Sequence, residues 1–534
     1  MLRNIVVRSK LLLHARQKSF ITTPIYYANA APHIGHVYSS VIADAGHRYA
    51  KLRDANNSGY IFSTGTDEHG IKIQKAAADA NEDPQQFCDK ISNNFRQIFD
   101  KFNVGYTDYV RTTDDKHKKS VQVFWDVLMK NGHIYKDKYS GYYSQIDETF
   151  YQEKDIEEIE VDGVKILISK ESKSPVQFVE EENYMFNISK FYPEIIKWLN
   201  ECDVIRPKHY LPQVLSHMRH DEKLSISRDS NRMTWGIAVP NDPSQTIYVW
   251  LDALVNYLSV VNYPNMTSQQ WPPTWQILGK DIMKFHAVYW PAFLLASGNE
   301  LPEKMFIHAH WTIDNVKMSK SKGNVIDPYQ MADLLSVDGV RYFLLRQGIP
   351  HDDGNFSIKK SVNMVNADLV NNIGNMLMRS TGTNLNVHQV YFPQKYETLD
   401  EDVIVDASNL LKELRTLKDK TSKHYDDLLF YKALENIMSV CKQANGFFQT
   451  EEPWKKSCGH ETASILYITY ETLRIVGILL QPIVPEYADK VLNKLGIPKG
   501  ERLIQNAKFE ENNLSNRKLG DQKEHVMERI EMPK

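Results

Sequence analysis

Cysteine is scarce in this chain of 534 residues, and the four that occur, Cys88, Cys202, Cys441 and Cys458, show no paired spacing. Isolated cysteines indicate neither a disulfide framework nor a zinc knuckle, and they are typical of a reducing compartment. The chain also lacks an uninterrupted apolar run that approaches the roughly 20 residues of a membrane span, so no membrane contact is predicted. Internal repeats and low-complexity tracts are absent as well.

A strong charge of either sign is missing too. The 64 basic and 67 acidic residues give a formal net charge of −3, so a nucleic-acid partner would have to be bound by a local basic surface. Apolar residues make up 42% of the chain, which is ample for large cores. The length predicts about three structural units.

Acidic residues are absent from the N-terminal segment, where the first one is Asp44. Residues 1–18 carry only basic charges, and their apolar side chains gather on one side of a helical wheel. A basic, amphipathic and acid-free N-terminus is typical of a mitochondrial transit peptide, and the alternative is an ordinary disordered basic tail. We therefore predict a transit peptide over residues 1–18 and a location in the mitochondrial matrix.

The order of the predicted elements indicates an α/β protein with a helical C-terminal part. Strand 20–25, helix 37–52 and strand 59–63 alternate, and polar residues follow both strands, where open α/β sheets bind ligands. Short, Tyr-rich segments interrupt this alternation, and beyond residue 361 the periodicity is helical with no convincing strand. We predict a Rossmann-type parallel-sheet domain, an inserted subdomain and an all-α bundle. The predicted boundaries are 19–131 and 236–310 for the two halves of the sheet domain, 132–235 for the insertion, 311–360 for a lysine-loop region, 361–510 for the bundle and 511–534 for a charged surface tail.

Two short motifs carry most of the chemical information. His33-Ile34-Gly35-His36 opens the first predicted helix, and Lys317-Met318-Ser319-Lys320-Ser321 lies in a lysine-rich loop. The imidazoles and the helix N-terminus can donate hydrogen bonds to phosphate, and Gly35 lets the backbone approach a flat base closely. The two lysines supply mobile cations for the charge that develops when pyrophosphate leaves. The alternatives are a metal site or a purely structural helix cap at the histidines, and a solvated surface loop at the lysines.

Together and in this order, the two motifs resemble the signatures of class I aminoacyl-tRNA synthetases. Further blocks resemble the methionyl-tRNA synthetases within that class, most of all their mitochondrial and metal-free bacterial branch. The resemblance extends from Phe20 to about Leu495. The blocks that carry it are Phe20-Ile21-Thr22-Thr23-Pro24-Ile25-Tyr26-Tyr27, Thr64-Gly65-Thr66-Asp67-Glu68-His69-Gly70, Tyr248-Val249-Trp250-Leu251-Asp252-Ala253, Gly279-Lys280-Asp281-Ile282 with Phe285-His286, and Glu452-Pro453-Trp454.

This resemblance implies an adenylate-forming site and a methionine pocket. The catalytic positions would be His33, His36, Lys317 and Lys320, which act on the phosphates of ATP, and Mg²⁺ would accompany the ATP. The other ATP-binding positions would be Gly35, Gly279, Asp281, Ser319 and Ser321. Asp67 would pair with the ammonium group of methionine, and the residues that would enclose its side chain are Ile25, Tyr27, Trp250, Ala253, Tyr257, Ile282 and His286. Leu254 stands where the family often has proline, which is a departure in the local backbone of the pocket.

The resemblance also bears on the insertion and on the helical region. Relatives often carry zinc-binding cysteine pairs in the insertion, whereas this chain has only Cys202 there, so no structural zinc is predicted. Asn375 and Arg379 lie four residues apart, on one face of a helix. With Trp454 they would read the CAU anticodon, the tryptophan by stacking on a base and the other two by hydrogen bonds to base edges.

The implied function is the two-step formation of methionyl-tRNA by a monomer, with ATP, methionine and tRNA(Met) as partners. The sequence leaves two alternatives, a class I synthetase for another amino acid and a tRNA-binding relative that has lost catalysis. The intact His and Lys motifs argue against the loss of catalysis. The insertion is too small for the hydrolytic editing domain of the valine, isoleucine and leucine enzymes.

Overall fold

The computed structural model describes residues 19–54, 59–144, 149–151, 153–161, 164–170, 172–218, 222–267, 270–318, 325–391, 394–456, 459–513, 516–521 and 525–533. The predicted transit peptide, residues 1–18, lies outside these ranges. Contacts divide the chain into two compact units. Among the described residues, unit 1 contains 19–32 together with 61–98 and 106–307, and unit 2 contains 33–60, 99–105 and those from 308 onwards. The domain boundaries predicted from the sequence stay predictions.

Within the described residues, the strands in chain order are β1 Phe20–Thr22, β2 Tyr26–Tyr27, β3 Ile61–Asp67, β4 Asp108–Arg111, β5 Ile134–Ser144, β6 Thr149–Tyr151, β7 Ile156–Val161, β8 Val164–Ser169, β9 Gln177–Phe186, β10 Ile205–Arg206, β11 Leu224–Ser225, β12 Ser227–Asp229, β13 Ala238–Val239, β14 Asp242–Ile247, β15 Trp275–Gly279, β16 Met305–His308, β17 Trp311–Ile313, β18 Val316–Lys317, β19 Gly354–Asn355, β20 Val390–Tyr391, β21 Gln394–Lys395, β22 Asn512–Asn513 and β23 Arg517–Lys518.

The α-helices in the same ranges are α1 Ile34–Arg53, α2 Ile71–Asp79, α3 Pro84–Lys101, α4 Asp115–Lys130, α5 Tyr192–Glu201, α6 Leu211–Ser216, α7 Val249–Val260, α8 Trp290–Ser297, α9 Pro328–Leu335, α10 Val337–Gln347, α11 Ile358–Val365, α12 Asn375–Thr381, α13 Glu401–Asp406, α14 Ser408–Tyr425, α15 Phe430–Glu451, α16 His460–Leu480 and α17 Pro485–Lys494. Two π-helices, Phe285–Tyr289 and Asn366–Gly374, run directly into α8 and α12.

Unit 1 is built on a parallel sheet in the order β10-β16-β15-β1-β3-β2, with β4 paired on β3. Strand β1 lies in the middle, with Ile21 opposite Phe62 of β3 on one side and Trp275 of β15 on the other. The central strands β1 and β15 are buried along their whole length, as expected for a parallel sheet covered on both faces. The predicted α/β fold with a parallel sheet and a helical C-terminal part is confirmed. Because these strands are parallel, the carboxyl ends of β3 and β15 lie at the same edge on either side of β1.

The second strand is longer than predicted at its carboxyl end. The sequence predicted a strand over 59–63, followed by a polar turn, whereas β3 continues to Asp67. The polar side chains are accommodated because they form hydrogen bonds inside the sheet, such as that between the hydroxyls of Thr23 and Thr64 at 2.7 Å. A buried hydroxyl with a partner costs little, so polarity marked the end of the strand too early.

The segments between the halves of this sheet form antiparallel sheets in unit 1. Strands β11, β9, β5 and β6 make one sheet, in which β5 and β9 pair from Ile134 opposite Phe186 to Tyr143 opposite Gln177. Strands β12, β14 and β13 make a second sheet, and β7 with β8 forms a hairpin. Most of these strands lie in the tyrosine-rich segment 132–235 that the sequence assigned to the insertion, whereas β13 and β14 lie beyond its predicted end.

Unit 2 combines helix α1 with the helical C-terminal part of the chain. Helix α1 packs against α10, and the buried carboxylate of Asp44 accepts a hydrogen bond of 2.6 Å from Arg341. Among the described residues one helix, α16, is long and apolar enough to cross a membrane, but 94% of its apolar window is buried inside the protein. Its charged residues Glu471 and Arg474 form a buried bidentate ion pair, with N–O distances of 2.8 and 2.7 Å.

The C-terminal segment differs from the predicted surface tail. Leu519 and Val526 are buried, and Ile530 exchanges two backbone–side-chain hydrogen bonds with Asn366. Strands β22 and β23 pair with β21 and β20, which are the strands that the helical periodicity did not reveal. Two-residue strands leave no periodic pattern, and single apolar residues among charges do not predict burial, so the sequence revealed neither these strand pairings nor the burial of Leu519 and Val526.

Candidate functional site

The His33-Ile34-Gly35-His36 motif forms the N-terminus of α1 in unit 2. His33 is the N-cap residue, and its Nδ1 accepts a hydrogen bond of 3.0 Å from the backbone N–H of Gly35. The backbone N–H of His33 in turn donates to Nδ1 of His36 at 3.0 Å. This reciprocal pair is a capping box made of two histidines. The histidines therefore cap α1, with His33 at the N-cap position and His36 as its partner, and the phosphate-binding role of both rings stays a prediction.

This cap also determines what the two rings can donate. An Nδ1 atom that accepts a backbone N–H carries no proton, so each neutral ring has its proton on Nε2. The rings stand 3.9 Å apart between centroids, at the positive end of a helix of 20 residues. The arrangement provides Nε2–H donors beside a helix N-terminus, which is a suitable site for an anion.

Gly35 has a structural reason that the sequence did not indicate. A Cβ atom at this position would lie 2.8 Å from Cε1 of His33, which is closer than side chains tolerate. Glycine therefore allows the ring of His33 to fold back onto the first turn of α1. The sequence had assigned this glycine to the approach of a ligand, and that role stays a prediction.

The lysine motif is described only in part. Strand β18 ends at Lys317, whose backbone lies opposite Thr312 of β17, and Met318 is buried. Ser319, Lys320 and Ser321 lie outside the described residues, so their predicted roles stay predictions.

In unit 1, Asp67 is the last residue of β3 and is almost fully buried. It lies opposite Tyr27 of β2, and its carbonyl accepts a hydrogen bond of 2.8 Å from Ala28. The next residue, Glu68, is completely buried and forms a bidentate ion pair with Arg111, at 2.7 and 2.9 Å. The ion pair between Glu68 and Arg111 therefore fixes the backbone directly after Asp67.

The predicted wall of the methionine pocket is assembled by α7 and the π-helix Phe285–Tyr289. The ring of Trp250 stacks on Phe285 with 3.6 Å between centroids and 3° between planes. Nδ1 of His286 lies 3.0 Å from the carbonyl of Ile282, and its Nε2 lies 2.8 Å from the hydroxyl of Tyr257. Because a carbonyl can only accept, Nδ1 donates to it, and Nε2 accepts from the tyrosine. The structure thus brings Trp250, Tyr257, Ile282 and His286 together.

Burial keeps this wall uncharged. It lowers the pKa of His286 to about 4, against a smaller opposing effect of the hydrogen bond to Ile282, so the ring is neutral at pH 7. Burial likewise raises the pKa of the Tyr257 hydroxyl far above its usual value. A neutral wall of aromatic rings suits the apolar, polarizable thioether of methionine.

The remaining predicted residues of unit 1 occupy compatible places. Ala253 is buried on α7, one turn after Trp250, and Ile25 is half-buried just before β2. Gly279 ends β15, at the same edge of the sheet as Asp67. Asp281 follows it and is exposed. The described residues contain no group of three or more His, Cys, Asp or Glu side chains that could hold a metal ion.

In unit 2, the three residues predicted to bind the anticodon are partly brought together. The guanidinium of Arg379 lies 4.7 Å from the centre of the Trp454 ring and 5.3 Å from that of Phe448. Trp454 follows the end of α15 and is 43% exposed, so it is not a core residue. Asn375 is exposed one helical turn before Arg379, at the point where the π-helix Asn366–Gly374 ends. Such π-turns are frequent at functional sites.

Several residues of these sites were missed by the sequence. Phe285 stacks on Trp250, and Phe448 and Gln449 contact Arg379. Phe285 stood in a block that resembled the family, so this signal was available. No sequence signal pointed to Phe448 or Gln449, because their contact with Arg379 joins residues about 70 positions apart along the chain.

Comparisons with known proteins agree on one family. A family model described as tRNA synthetases class I (M) matches residues 19–381. The chain is 43% identical over 505 residues to the mitochondrial methionine–tRNA ligases of Takifugu rubripes and Homo sapiens, which covers 92% and 91% of this chain and 85% of each relative. It is 41% identical over 495 residues to the methionine–tRNA ligase of Rickettsia typhi, covering 91% of this chain and 94% of that protein.

A solved structure is similar over nearly the whole chain. The methionyl-tRNA synthetase of Mycobacterium tuberculosis in complex with methionyl-adenylate superposes with a TM-score of 0.88 at 35% identity. The match covers 96% of this chain and 99% of that one. The likeness therefore includes both the sheet domain and the helical part.

Proposed function

We infer the function from one premise: the chain belongs to the methionyl-tRNA synthetases, a family of class I. It is a methionine–tRNA ligase, which activates methionine with ATP and transfers it to the 3′ end of tRNA(Met). Its compartment is the mitochondrion, as in its relatives. We further propose that it acts in the matrix as a monomer. The observation that carries the assignment to methionine is the neutral wall of Trp250, Tyr257 and His286 on a chain that resembles these enzymes from end to end.

In the first step, the carboxylate of methionine attacks the α-phosphate of ATP, and pyrophosphate leaves. No side chain needs to act as a nucleophile, so catalysis consists of positioning and of stabilising the charge that develops. We assign this stabilisation to the Nε2–H groups of His33 and His36 and to the ammonium groups of Lys317 and Lys320. The geometry of the capping box supports the first part, because it directs a proton to each Nε2.

The other ATP contacts are assigned to Gly35, Gly279, Asp281, Ser319 and Ser321. Mg²⁺ belongs to the substrate, since it enters on the phosphates of ATP, and the described residues offer no carboxylate cluster that would hold it independently. We also propose that the enzyme works without a structural zinc. The position of Gly279 as the last residue of β15 and of Asp281 two residues later, at the ligand-binding edge of the sheet, supports their assignment.

For methionine, we propose that Asp67 pairs with the ammonium group. The side chain would lie among Ile25, Tyr27, Trp250, Ala253, Tyr257, Ile282 and His286. The hydrogen bonds among Tyr257, His286 and Ile282 support this role, because they satisfy the polar atoms of the wall internally. A polar ligand would have to compete with them, whereas an apolar side chain would not.

In the second step, a hydroxyl of the terminal ribose of tRNA attacks the carbonyl carbon of methionyl-adenylate, the bond from that carbon to the phosphate oxygen breaks, and AMP leaves. We propose that Asn375, Arg379 and Trp454 read the CAU anticodon within the helical region 361–510, while region 311–360 contacts the tRNA stem. An exposed tryptophan with a cation at its face supports this role, because single-stranded bases are bound by such stacking surfaces.

The experiment that tests this function is ATP–pyrophosphate exchange with each of the twenty amino acids. We expect exchange with methionine and none of comparable efficiency with leucine, isoleucine or valine. Exchange with another amino acid would indicate a different class I synthetase, and exchange with none would indicate a relative that has lost catalysis.

The lysine motif provides a second test. Lys320→Ala should lower adenylate formation by ~10²–10³-fold, the scale for the loss of one preorganised donor to the transition state, while methionine binding changes little. Lys304→Ala, which removes a lysine that lies against Trp275 at the start of β15, is the matched control. An equal loss of methionine binding and rate would mean that Lys320 has only a structural role.

A further inference from the structure

Next to the turn that follows β3, a network of hydrogen bonds between buried polar groups joins three elements of unit 1. Asp252 on α7 lies at its centre, with its Oδ2 2.7 Å from Nδ1 of His69 and its Oδ1 2.7 Å from Nε2 of His117. His117 is on α4, and its Nδ1 lies 2.9 Å from the hydroxyl of Ser259 on α7. The side chains of His69, Asp252 and His117 are 3%, 1% and 1% exposed, so bulk water is excluded from this network.

The carboxylate at the centre is charged. Burial by itself would raise the pKa of Asp252, but the charge of His69 and the hydrogen bond from His117 outweigh it and bring the pKa to about 2. A buried carboxylate is tolerated only where donors satisfy its oxygens, and here each oxygen has one imidazole N–H. Removing either imidazole would leave one carboxylate oxygen without its donor.

This network connects the two parts of the proposed methionine pocket. His69 lies two residues after Asp67, in the same turn, and Asp252 lies between Trp250 and Ala253 on α7. The bond between His69 and Asp252 therefore fixes the distance between the turn that bears the ammonium partner and the helix that bears the pocket wall. Helix α4 packs against α7, and His117 holds Asp252 from that side.

We propose that His117 is a positioning residue for methionine binding, acting through Asp252 on the spacing between the Asp67 turn and α7. This inference rests on the proposed function and names a residue that none of the sequence motifs contains. His117 orients the carboxylate of Asp252, and the Ser259 hydroxyl fixes the ring plane of His117.

Two variants at position 117 separate positioning from packing. His117→Phe fills a similar volume but cannot donate to Asp252, and we expect its KM for methionine to rise by roughly 10- to 100-fold, as for the loss of one hydrogen bond to a buried charge. Its kcat should change by less than about threefold, because the phosphate-binding groups are untouched. His117→Gln places an amide N–H near the position of Nε2, and it should restore most of the affinity.

The control is His133→Gln. His133 lies just beyond the C-terminal end of α4, and its ring packs on Phe191. Its KM for methionine should equal that of the wild type. If His117→Phe does not fold, the KM for methionine and the kcat of Ser259→Ala are measured instead. We expect this KM to rise by about threefold with kcat unchanged.

The outcomes are distinct. A raised KM with unchanged kcat and rescue by His117→Gln supports the proposal. A lower melting temperature with an unchanged KM, or a fall in kcat alone, overturns it and leaves the proposed function intact. If the wild type itself shows no methionine-dependent exchange, the proposed function fails first.

Discussion

The proposed methionine pocket of unit 1 and the Arg379–Trp454 cluster of unit 2 use similar residues in opposite ways. Each has a tryptophan stacked on a second group, Phe285 in the pocket and the Arg379 guanidinium in the cluster. In the pocket, Tyr257 and His286 are buried, and their polar atoms are satisfied within the protein. In the cluster, Trp454 is 43% exposed and its partner carries a charge.

The difference follows from the ligands that the two regions are proposed to bind. A methionine side chain offers no hydrogen bonds and is recognised by a preformed apolar surface, so the protein must satisfy its own polar groups beforehand. An unstacked base offers a π-face and hydrogen-bonding edges, so an exposed ring and a cation serve it directly. Changes in the pocket should therefore have larger effects than changes in the cluster.

The largest effect is expected at the edge of the pocket. Asp67→Ala should weaken methionine binding by about 2–5 kcal/mol, because the ammonium group would lose its charged partner in a buried site. Isothermal titration with methionine and with an analogue that lacks the amino group measures this loss. The analogue should bind the wild type poorly and show little further loss with the variant, and Asp108→Ala at the start of β4 is the control. Equal weakening of both ligands would show that Asp67 holds the fold.

The neutral wall should make the protein sensitive to acid. The pKa of His286 is lowered from 6.5 to about 4, so between these values the unfolded chain binds a proton that the folded protein does not. This contribution to the free energy of unfolding is complete above pH 6.5, the pKa of the histidine in the unfolded chain. It is lost as the pH falls towards 4, and the loss is about 3 kcal/mol at most.

His286→Gln keeps a neutral side chain and should flatten this profile. The measurement is the difference in melting temperature between wild type and variant from pH 7.5 to 4.5. The contribution of the carboxylates cancels in this difference, because they titrate in both proteins. Identical pH profiles would contradict the assignment of a neutral, buried His286.

In the cluster, Trp454→Ala should leave ATP–pyrophosphate exchange almost unchanged. A base stack is worth ~1–3 kcal/mol, so charging of tRNA at limiting concentration should fall by roughly 10- to 100-fold. The exposed position of Trp454 also predicts an unchanged melting temperature. Preserved discrimination between CAU and altered anticodons in the variant would exclude this role for Trp454.

The smallest effect is expected at the cation. Arg379→Lys keeps the charge but loses the flat guanidinium at 4.7 Å from the Trp454 ring. A cation–π contact at an exposed site contributes ~0.5–1 kcal/mol, so charging should fall by about two- to fivefold. Steady-state charging with varied tRNA measures this change, and Arg415→Lys, at a similar contact with Tyr396, is the matched control. A loss as large as that of Trp454→Ala would mean that the arginine reads a base directly.

The sequence alone determined the α/β architecture, the helical C-terminal part and the family, because these depend on local information. Periodicity reports which side of a helix or strand is buried, and the two signature motifs and five blocks lie within short stretches of chain. The choice of Trp250, Tyr257 and His286 for one pocket came from the family resemblance that these blocks carry, and the structure brings these three together.

Only the tertiary structure decided how polar groups are paired over long distances along the chain. Asp252 meets His69 and His117 across 183 and 135 residues, and Ile530 meets Asn366 across 164. The same holds for Gly35, since only the folded structure shows that a Cβ there would lie against the ring of His33. A sequence shows that a residue is polar or small, but the cost of burying it depends on the partner that the fold supplies.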